Sequence, residues 1–256
     1  MPDRERTLRC EAVVLRHTDW GEADRVLTLF TQEEGKQRAV AKGARKLKSR
    51  KAGHLEPFTR VKLMLARGRD FWIVTQAETV DAYLPLREDL LKTAYAAYIL
   101  ELIDRFTYEE GSNRLLYSLL VDTLQRVSEM EAPLPALRYY EIHLLDLVGF
   151  RPELFRCVKC EETIQAVDQF FSPARGGVLC PNCGKGEGAR SVPVKVLKYL
   201  RHYQRSTFRE AARVPLPMGI GEQMEALLNE YITYILERRL NSPAFVHEIQ
   251  HQQEKD

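Results

Sequence analysis

The sequence predicts an α+β multidomain protein, in which a small antiparallel β-barrel precedes a larger helical domain. Three observations predict this class. Short strand-like runs fill residues 8–80, apolar residues take a helical period after Leu84-Pro85, and two C-x₂-C pairs interrupt the helical part. A length of 256 residues leaves room for one large or two modest domains. We expect the barrel at 1–82 and the helical domain at 83–256.

The barrel prediction depends on five runs rich in β-branched and aromatic residues, separated by turn-forming segments. They are LRCEAVVLRH, ADRVLTLFT, KQRAVAKG, TRVKLMLA and DFWIVTQAETV. In the fourth run, Val61, Leu63 and Leu65 are expected to face a core. Arg60 and Lys62 alternate with them and would face outward. Five short strands with no long helix between them are typical of the OB-fold, the commonest five-stranded barrel of this size.

Helical periods account for most of the remaining chain. The first runs from Leu86 to Tyr108 and has an apolar face wide enough to be buried within a bundle. Further helices are expected at about 113–130, from Pro133 to Gly149, from Pro193 to Arg205 and from about Ile220 to Leu240. The polar ending HEIQHQQEKD is expected to fray.

Composition excludes several classes of protein. Apolar residues make up 45% and charged residues 29%, which is typical of a soluble folded chain. No run reaches the roughly 18 apolar residues that span a bilayer. The charged beginning MPDRERTLRC has no apolar region of a signal peptide. We therefore expect a cytoplasmic protein with no membrane partner, whose five cysteines are thiols or metal ligands rather than disulfides.

Positive charge is concentrated in one stretch. Between Lys36 and Arg69 there are twelve Lys or Arg and one acid, Glu56, so these 34 residues carry +11 while the whole chain carries +2. Eight of the twelve lie within 36–51, where there is no acid. Such asymmetry indicates a polyanionic partner for this part of the molecule.

Nucleic acid is the polyanion that the surrounding sequence favours. OB-folds commonly hold single strands, and the aromatic residues Trp20, Phe58, Phe71 and Trp72 lie in the same domain and could stack on bases. Lys and Arg contact phosphates without reading sequence, so mostly non-specific binding is expected. A solvated basic loop with no partner is the alternative. The candidate DNA-binding residues are Lys36, Arg38, Lys42, Arg45, Lys46, Lys48, Arg50, Lys51, Arg60, Lys62, Arg67 and Arg69.

The cysteine pairs follow the pattern C-x₂-C-x₁₉-C-x₂-C, which is typical of a four-cysteine zinc site. The candidate ligands are Cys157, Cys160, Cys180 and Cys183. Four thiolates complete a tetrahedron and leave no open position, so one structural Zn²⁺ is expected to fold a module at 155–188. An iron–sulfur cluster or four free thiols are the alternatives. Cys10 lies in a strand-like run and is expected to be buried.

Three other patterns resemble catalytic sites but lack the context that the chemistry needs. His247-Glu-Ile-Gln-His251 matches H-E-x-x-H, yet only five residues follow it, too few for a third ligand and a cleft. His54-Leu55-Glu56 with the second cysteine pair resembles a deaminase signature, but leaves the first pair without a role. The segment Gly184–Gly188 has no strand before it and no Ser or Thr after its lysine. We expect no catalytic residue, no nucleotide cofactor and no enzyme.

Several segments, taken in order, make the chain similar to the RecO family of bacterial recombination mediators along nearly its full length. The segments are RCEAVVLRHTDWGEADRVLTLFT, AKGARKLKSRKAGHLEPF, LREDLLKTAYAAYILELIDRF, LLDLVGFRPELFRCVKC and ERRLNSPAF. The resemblance implies an N-terminal OB domain and a C-terminal helical domain with a zinc insert, although zinc knuckles occur in only part of that family.

The resemblance also implies a function and partners. It implies a non-enzymatic role in recombinational repair, in the RecFOR pathway, by a cytoplasmic and nucleoid-associated protein. Such a protein binds single- and double-stranded DNA, anneals complementary strands, and works with RecR and with the C-terminal tail of single-strand-binding protein. It thereby helps RecA to load onto DNA that single-strand-binding protein covers. A zinc-ribbon factor that acts on RNA or on the transcription machinery is the alternative.

Overall fold

Five strands close into a barrel in a computed structural model that describes residues 7–109, 111, 113–186 and 188–253. The strands are β1 (Thr7–Trp20), β2 (Asp24–Thr31), β3 (Gly35–Ala41), β4 (Arg60–Arg67) and β5 (Trp72–Asp81). Their order around the barrel is β1-β2-β3-β5-β4, with β4 pairing back onto β1. All neighbouring strands are antiparallel except β3 and β5, which are parallel. The predicted OB-like barrel is confirmed.

The barrel core follows from alternation along its strands. In β4, Val61, Leu63 and Leu65 are buried, as predicted, and Lys62 is exposed. Cys10 of β1 is also buried in this core, as expected, and burial raises the pKa of its thiol to about 12. The alternation along β4 therefore favours its observed register, because a shift by one residue would turn its apolar side chains outward.

The long connection from β3 to β4, residues 42–59, is fastened to the barrel and contains one 3₁₀ turn at Ala52–His54. Ala44 and Leu55 from this connection are buried in the barrel core. The backbone N–H of Phe58 donates to the carbonyl of Val14 at 3.0 Å. The basic stretch is therefore built into the barrel rather than attached to it as a free loop.

The helices are α1 (Pro85–Glu88), α2 (Leu90–Phe106), α3 (Arg114–Glu129), α4 (Leu134–Leu147), α5 (Pro181–Gly184), α6 (Val194–Arg205), α7 (Phe208–Ala211), α8 (Met218–Leu236) and α9 (Ser242–Gln253). The five predicted helices occur in the expected order, the first of them divided in two, and α5, α7 and α9 are additional. The first expected helix is divided at Asp89, whose carboxylate accepts the N–H of Lys92 and caps α2. None of the described helices is both long enough and apolar enough to cross a membrane.

The expectation that the polar ending frays is wrong for residues 247–253, and residues 254–256 lie outside the described part of the chain. These residues belong to α9, which packs on α2. Ile249 is buried, and the amide of Gln250 donates to the hydroxyl of Tyr95 at 2.9 Å. The buried side chain of Ile249 and one partly buried hydrogen bond fix a helix that its composition alone does not indicate.

The chain divides into two compact units. The described residues up to Glu129, together with those from Ser242 onward, form the first, and Met130–Asn241 form the second. The first contains the barrel with α1, α2, α3 and α9. The second contains α4 to α8 and a three-stranded sheet of β6 (Gln169–Ser172), β7 (Gly177–Leu179) and β8 (Arg190–Val192), in the order β7-β6-β8. The sequence does not predict this sheet, and the expected domain boundary near 82 and module at 155–188 stay predictions.

Candidate nucleic-acid interface and metal centre

One end of the barrel collects the turns that OB-folds use for binding. Strand pairing places the β1–β2 turn (residues 21–23), the β4–β5 turn (68–71) and the start of the β3–β4 connection together, because Trp20 faces Asp24 while both Ala39 and Arg67 pair with Trp72. OB-folds bind oligonucleotides and oligosaccharides through the faces of strands 2 and 3 and through these two turns. Of the candidate residues, strand pairing puts Lys42, Arg67 and Arg69 at this end.

Two aromatic rings and one guanidinium lie on this end, and we call Trp20, Phe71 and Arg38 the aromatic platform. Trp20 is 48% exposed and meets Phe71 edge to face, with ring centroids 5.6 Å apart. The Arg38 guanidinium carbon lies 4.8 Å from the centroid of Phe71. A Cβ on Gly68 would lie 2.3 Å from the Phe71 carbonyl oxygen, so only glycine permits the turn that presents this ring.

The basic segment, which we define as residues 42–51, is held against the β1–β2 turn by hydrogen bonds. The backbone N–H of Arg45 donates to the carbonyl of Ala23 at 2.9 Å, and its guanidinium donates to the carbonyl of Gly21 at 3.1 Å. The N–H of Gly43 donates to the carboxylate of Asp24 at 2.7 Å. These bonds place the segment beside Trp20 and thus beside the aromatic platform.

A chain of ion pairs holds both ends of the β3–β4 connection. Asp19 pairs with Arg45 at 3.2 Å and with Arg25 at 3.6 Å, and Arg25 pairs in turn with Glu56 at 2.8 Å. Burial alone would raise the pKa of Glu56, but hydrogen bonds from Arg25 and His17 outweigh it and lower that pKa. The one acid among the 34 cation-rich residues thus pairs with groups on β1 and β2 and does not neutralise the basic segment.

The candidate DNA-binding residues differ in how available their charges are. Lys42, Lys46, Lys48 and Arg50 are exposed, and within the described ranges none of them makes an ion pair. The ammonium of Lys51 donates to the carbonyl of Val74 at 3.0 Å. The basic segment therefore presents four unneutralised charges.

Outside the basic segment, Arg67 and Arg69 are exposed at the β4–β5 turn, and Arg67 lies over the ring of Trp72 at 5.9 Å. Lys62 is also exposed, but Glu11 and Glu78 are its neighbours on the adjoining strands. Arg67 and Arg69 thus add positive charge at the β4–β5 turn to that of the basic segment. The positive charge of Lys62 is balanced by the two neighbouring glutamates.

Lys36 and Arg60 are engaged within the molecule. The ammonium of Lys36 lies 2.6 Å from the Asp104 carboxylate and also donates to the carbonyls that end α2. The guanidinium of Arg60 donates to Glu11 at 2.7 Å, and Glu11 also accepts the hydroxyl of Tyr117 at 3.1 Å. These two cations fasten α2 and α3 to the barrel, a role that depends on residues far away in the sequence.

The four cysteines of the two C-x₂-C pairs lie together. All four sulfur atoms fall within 4.8 Å of one another, and the sulfurs of Cys160 and Cys180 are 3.9 Å apart. A tetrahedral ion with metal–sulfur bonds of about 2.3 Å separates its sulfurs by about 3.8 Å. These four residues could therefore hold one metal ion with little movement.

Two short turns position the sulfurs. In the first, the N–H of Glu161 donates to the carbonyl of Cys157 at 2.8 Å, and Glu161 has a φ of 63°. In the second, the N–H of Cys183 donates to the carbonyl of Cys180 at 3.0 Å at the start of α5. A Cβ on Gly184 would lie 2.4 Å from the ring of Phe170, so glycine is required where α5 packs on β6.

The electrostatics of the cluster match a cationic occupant. Burial alone would raise the pKa of Cys157, but backbone N–H groups, those of Cys160 and Cys180 foremost, lower it to about 6. The hydrogen bond with Cys180 is the largest of the effects that raise the pKa of Cys183 to about 12. Ionisation of one thiol is thus favoured and ionisation of further thiols is opposed. A bound cation would remove this opposition, because it offsets the negative charge of the thiolates.

The histidines of the enzyme-like patterns all belong to the first unit. The pattern H-E-x-x-H is in α9, and the side chains of both its histidines lie outside the described residues. His54 belongs to the first unit, where its Nδ1 shares a 2.7 Å hydrogen bond with the hydroxyl of Thr79. The cysteines belong to the second unit, where they contact one another.

The fold and the two sites define a class: OB-barrel proteins that carry a four-cysteine metal site in a helical unit. Two family models match, "Recombination protein O N terminal" over residues 5–83 and "Recombination protein O C terminal" over residues 87–244. The chain belongs to the RecO family, as its sequence indicates.

Three relatives, each named DNA repair protein RecO, resemble the chain over most of its length. That of Roseiflexus sp. is 41% identical, with 96% of this chain and 87% of the relative covered. That of Symbiobacterium thermophilum is 37% identical, with 92% and 95% covered. That of Dehalococcoides mccartyi strain CBDB1 is 35% identical, with 90% and 91% covered.

Proposed function

We propose that this protein is a DNA repair protein that binds and anneals single-stranded DNA and helps RecA to load onto DNA covered by single-strand-binding protein. One observation carries the proposal: four unneutralised cations and an exposed aromatic platform converge on the end of the barrel that OB-folds use for oligonucleotides. The names of the relatives support repair as the setting.

The basic segment would supply most of the affinity. Each phosphate that a cation neutralises releases counterions, so the logarithm of affinity falls against the logarithm of salt concentration by about 0.7 per contact for a single strand. Contacts from Lys42, Lys46, Lys48 and Arg50, with Arg67 and Arg69, would give a slope of about −4. Lys36 and Arg60 would contribute less, because both already pair with carboxylates.

The aromatic platform would favour unpaired bases. Base–aromatic stacking contributes about 1–3 kcal/mol per base and tolerates any sequence. Trp20 is 48% exposed and could stack on a base, while its contact with Phe71 holds the ring in place. In a duplex the bases are stacked on each other, so this contribution would be restricted to single strands.

Annealing follows from the same charges. Two strands repel each other as polyanions, and a dense cationic surface screens that repulsion while the bases themselves determine the pairing. No step requires ATP or a catalytic residue, so in this proposal the protein is not an enzyme and acts in the cytoplasm on nucleoid DNA. The proposed protein partners are RecR and the acidic tail of single-strand-binding protein. RecA is a proposed indirect partner, because it loads onto the DNA afterwards.

In the second unit, we assign a structural role to the metal. Cys157, Cys160, Cys180 and Cys183 would hold one Zn²⁺ in a closed tetrahedral site. The ion would neutralise the thiolates and tie together two turns that are separated by about twenty residues of sequence. With four protein ligands it has no position for a substrate.

An annealing assay on the full chain tests this function. Lys42, Lys46, Lys48 and Arg50 are changed together to Gln, and the annealing of complementary oligonucleotides is measured with and without single-strand-binding protein. We expect annealing to fall at least tenfold and the salt slope of single-strand binding to decrease by about 3. The change Lys62→Gln is the control and should alter neither quantity much.

Annealing and a salt slope that both stay at the wild-type level in the quadruple variant would contradict the proposal. The same titration with RNA oligonucleotides tests the alternative of an RNA-directed factor. That alternative gains support if RNA binds more tightly than DNA and complementary DNA strands do not anneal.

A further inference from the structure

The exposed side of α6 in the second unit is cationic along its whole length. Its sequence, VKVLKYLRHYQR, contains no acid. Lys195, Lys198, Arg201 and Arg205 recur every three or four residues and therefore lie on one side, opposite the buried Val196, Leu197, Leu200 and Tyr203. We call these four cations the α6 basic stripe. Nothing in the barrel proposal uses them.

Two arginines of the stripe lie over the aromatic ring of Phe155. The guanidinium carbons of Arg201 and Arg205 lie 5.0 Å and 4.7 Å from the centroid of Phe155. Arg201 also donates to the carbonyl of Leu154 at 2.8 Å, which fixes its position. Burial lowers the pKa of Arg201, and repulsion from Arg205 lowers it further. Like charges held this close favour an anion that would contact both.

Three carboxylates on segments close to α6 accept hydrogen bonds from backbone groups. Glu153 accepts the N–H groups of Phe155 and Arg156. Asp168 accepts the N–H of Val194 at the start of α6, and Glu210 accepts the N–H and hydroxyl of Thr207. Within the described part of the chain, no ion pair joins any of these three acids to the stripe. The charge of Glu153 does act on Arg201, whose pKa it raises against the effects of burial and of Arg205. The positive charges of Lys195, Lys198 and Arg205 are therefore the ones available to an external anion.

The geometry points to a nucleic-acid strand, and we propose that the α6 basic stripe binds the phosphate backbone of a second strand. From Lys195 to Arg205 the helix rises about 15 Å, and the axial rise between successive stripe residues is about 4.5–6 Å. Phosphates along one strand of a duplex are spaced by about 3.4 Å of rise, and an unstacked strand is longer. Three or four phosphates would thus face the stripe.

An acidic peptide is the competing occupant, and the stripe is less suited to it. Such a peptide needs apolar side-chain pockets for specificity, whereas Phe155, the ring at the stripe, is already covered by two guanidinium groups. A regular row of cations matches a regular row of phosphates without any pocket. The proposal rests on the proposed function, because a second strand is what annealing requires.

The consequence is that one chain would hold two strands at once, the first on the barrel and the second on α6. Annealing by a single molecule then becomes an encounter between two strands bound to the same protein. The two surfaces have separate charges, so variants can remove either one while leaving the other intact.

The experiment measures simultaneous occupancy by two strands that cannot pair. Two dT oligonucleotides that carry a donor and an acceptor dye are mixed with the full chain, and energy transfer reports that both are held together. In the test variant Lys195, Lys198 and Arg205 are changed to Gln, while Arg201 is kept because it bonds to the backbone. The matched control removes three exposed cations elsewhere in the second unit: Lys185→Gln, Arg238→Gln and Arg239→Gln.

We expect the test variant to bind the first strand as the wild type does, to lose at least tenfold in affinity for the second, and to lose about 2 from the salt slope of that second step. The control should retain energy transfer. Equal losses in both variants, or no loss in the test variant, would overturn the proposal.

Two further outcomes separate the proposal from its rivals. If the wild type binds one strand and never a second, the stripe is not a strand site, yet the proposed barrel function stands. If no strand binds at all, the proposed function itself fails. If an acidic peptide loses affinity in the test variant while second-strand occupancy is unchanged, the stripe is a peptide site and our proposal is wrong.

Discussion

The barrel and the cysteine cluster obtain rigidity in different ways. The barrel has its own apolar core, made of Val61, Leu63 and their neighbours, and it leaves Trp20 and the basic segment exposed. The cysteine cluster has two turns and short strands, and its four sulfurs point toward one another. A barrel with its own apolar core can leave its polar and aromatic groups exposed, whereas a region whose sulfurs converge could use those groups to hold a metal ion for its own stability.

The largest expected effect is on the cysteine cluster. Changing Cys157 and Cys160 together to Ser should abolish metal binding and unfold this part of the second unit, since apparent binding energies of structural zinc reach about 10 kcal/mol or more. Metal content by mass spectrometry and limited proteolysis around residues 157–183 measure the result. The control Cys10→Ala removes a cysteine from the barrel and should keep the metal. A double variant that still binds one metal ion would refute the assignment of Cys157 and Cys160 as metal ligands.

The next effect is on the barrel core. Leu63→Ala removes a buried side chain and should lower the free energy of unfolding of the first unit by about 2–5 kcal/mol. Denaturant unfolding followed by tryptophan fluorescence measures it, because both tryptophans belong to the first unit. Metal content should not change. A loss of metal in this variant would show that the two regions do not fold independently.

A third variant separates function from folding within the barrel. Trp20→Ala should lower affinity for single-stranded dT by about 1–3 kcal/mol, which is five- to 150-fold, while stability and duplex affinity stay close to the wild type. Fluorescence anisotropy with labelled oligonucleotides measures both affinities. Tyr234→Ala, a change of an exposed aromatic residue in the second unit, is the control. Equal losses for single strands and duplex would argue against stacking.

The smallest effect concerns the attachment of the basic segment. The pKa of Glu56 is lowered in the folded protein, so its contribution is present above the ordinary value of 4.5 and is lost as pH falls through the lower folded value. Glu56→Gln should therefore lower the melting temperature slightly at neutral pH. The difference from wild type should shrink below pH 4.5. Glu78→Gln, at an exposed acid of β5, serves as the control, and a difference that does not depend on pH would exclude this ionic contribution.

Local patterns account for what the sequence predicts well. The alternation of β4, the helical periods and the C-x₂-C spacing are each properties of a few neighbouring residues, and the structure agrees with all three. The sheet β7-β6-β8 is missed because strands of three or four residues are too short for a period to appear. Helix α9 is missed because two buried apolar residues, Val246 and Ile249, and a bond to Tyr95 stabilise an otherwise polar segment.

Long-range contacts account for what the sequence does not resolve in the candidate interface. Lys36 and Lys46 look alike in the sequence, yet only Lys36 finds a carboxylate, that of Asp104, in a helix 68 positions away. Arg60 likewise pairs with Glu11, 49 positions before it. Charge density alone indicates a polyanion partner, but the tertiary structure decides which cations are left to meet it.

The burial of Ala44 and Leu55 has a consequence for how tightly a strand could be held. A loose lysine-rich tail must be ordered upon contact, and that ordering offsets part of the attraction. Here two apolar anchors have already set the shape of the segment before any ligand arrives. A substitution such as Leu55→Ala would therefore weaken strand binding with every lysine and arginine still in place, because the anchors order the surface that the charges occupy.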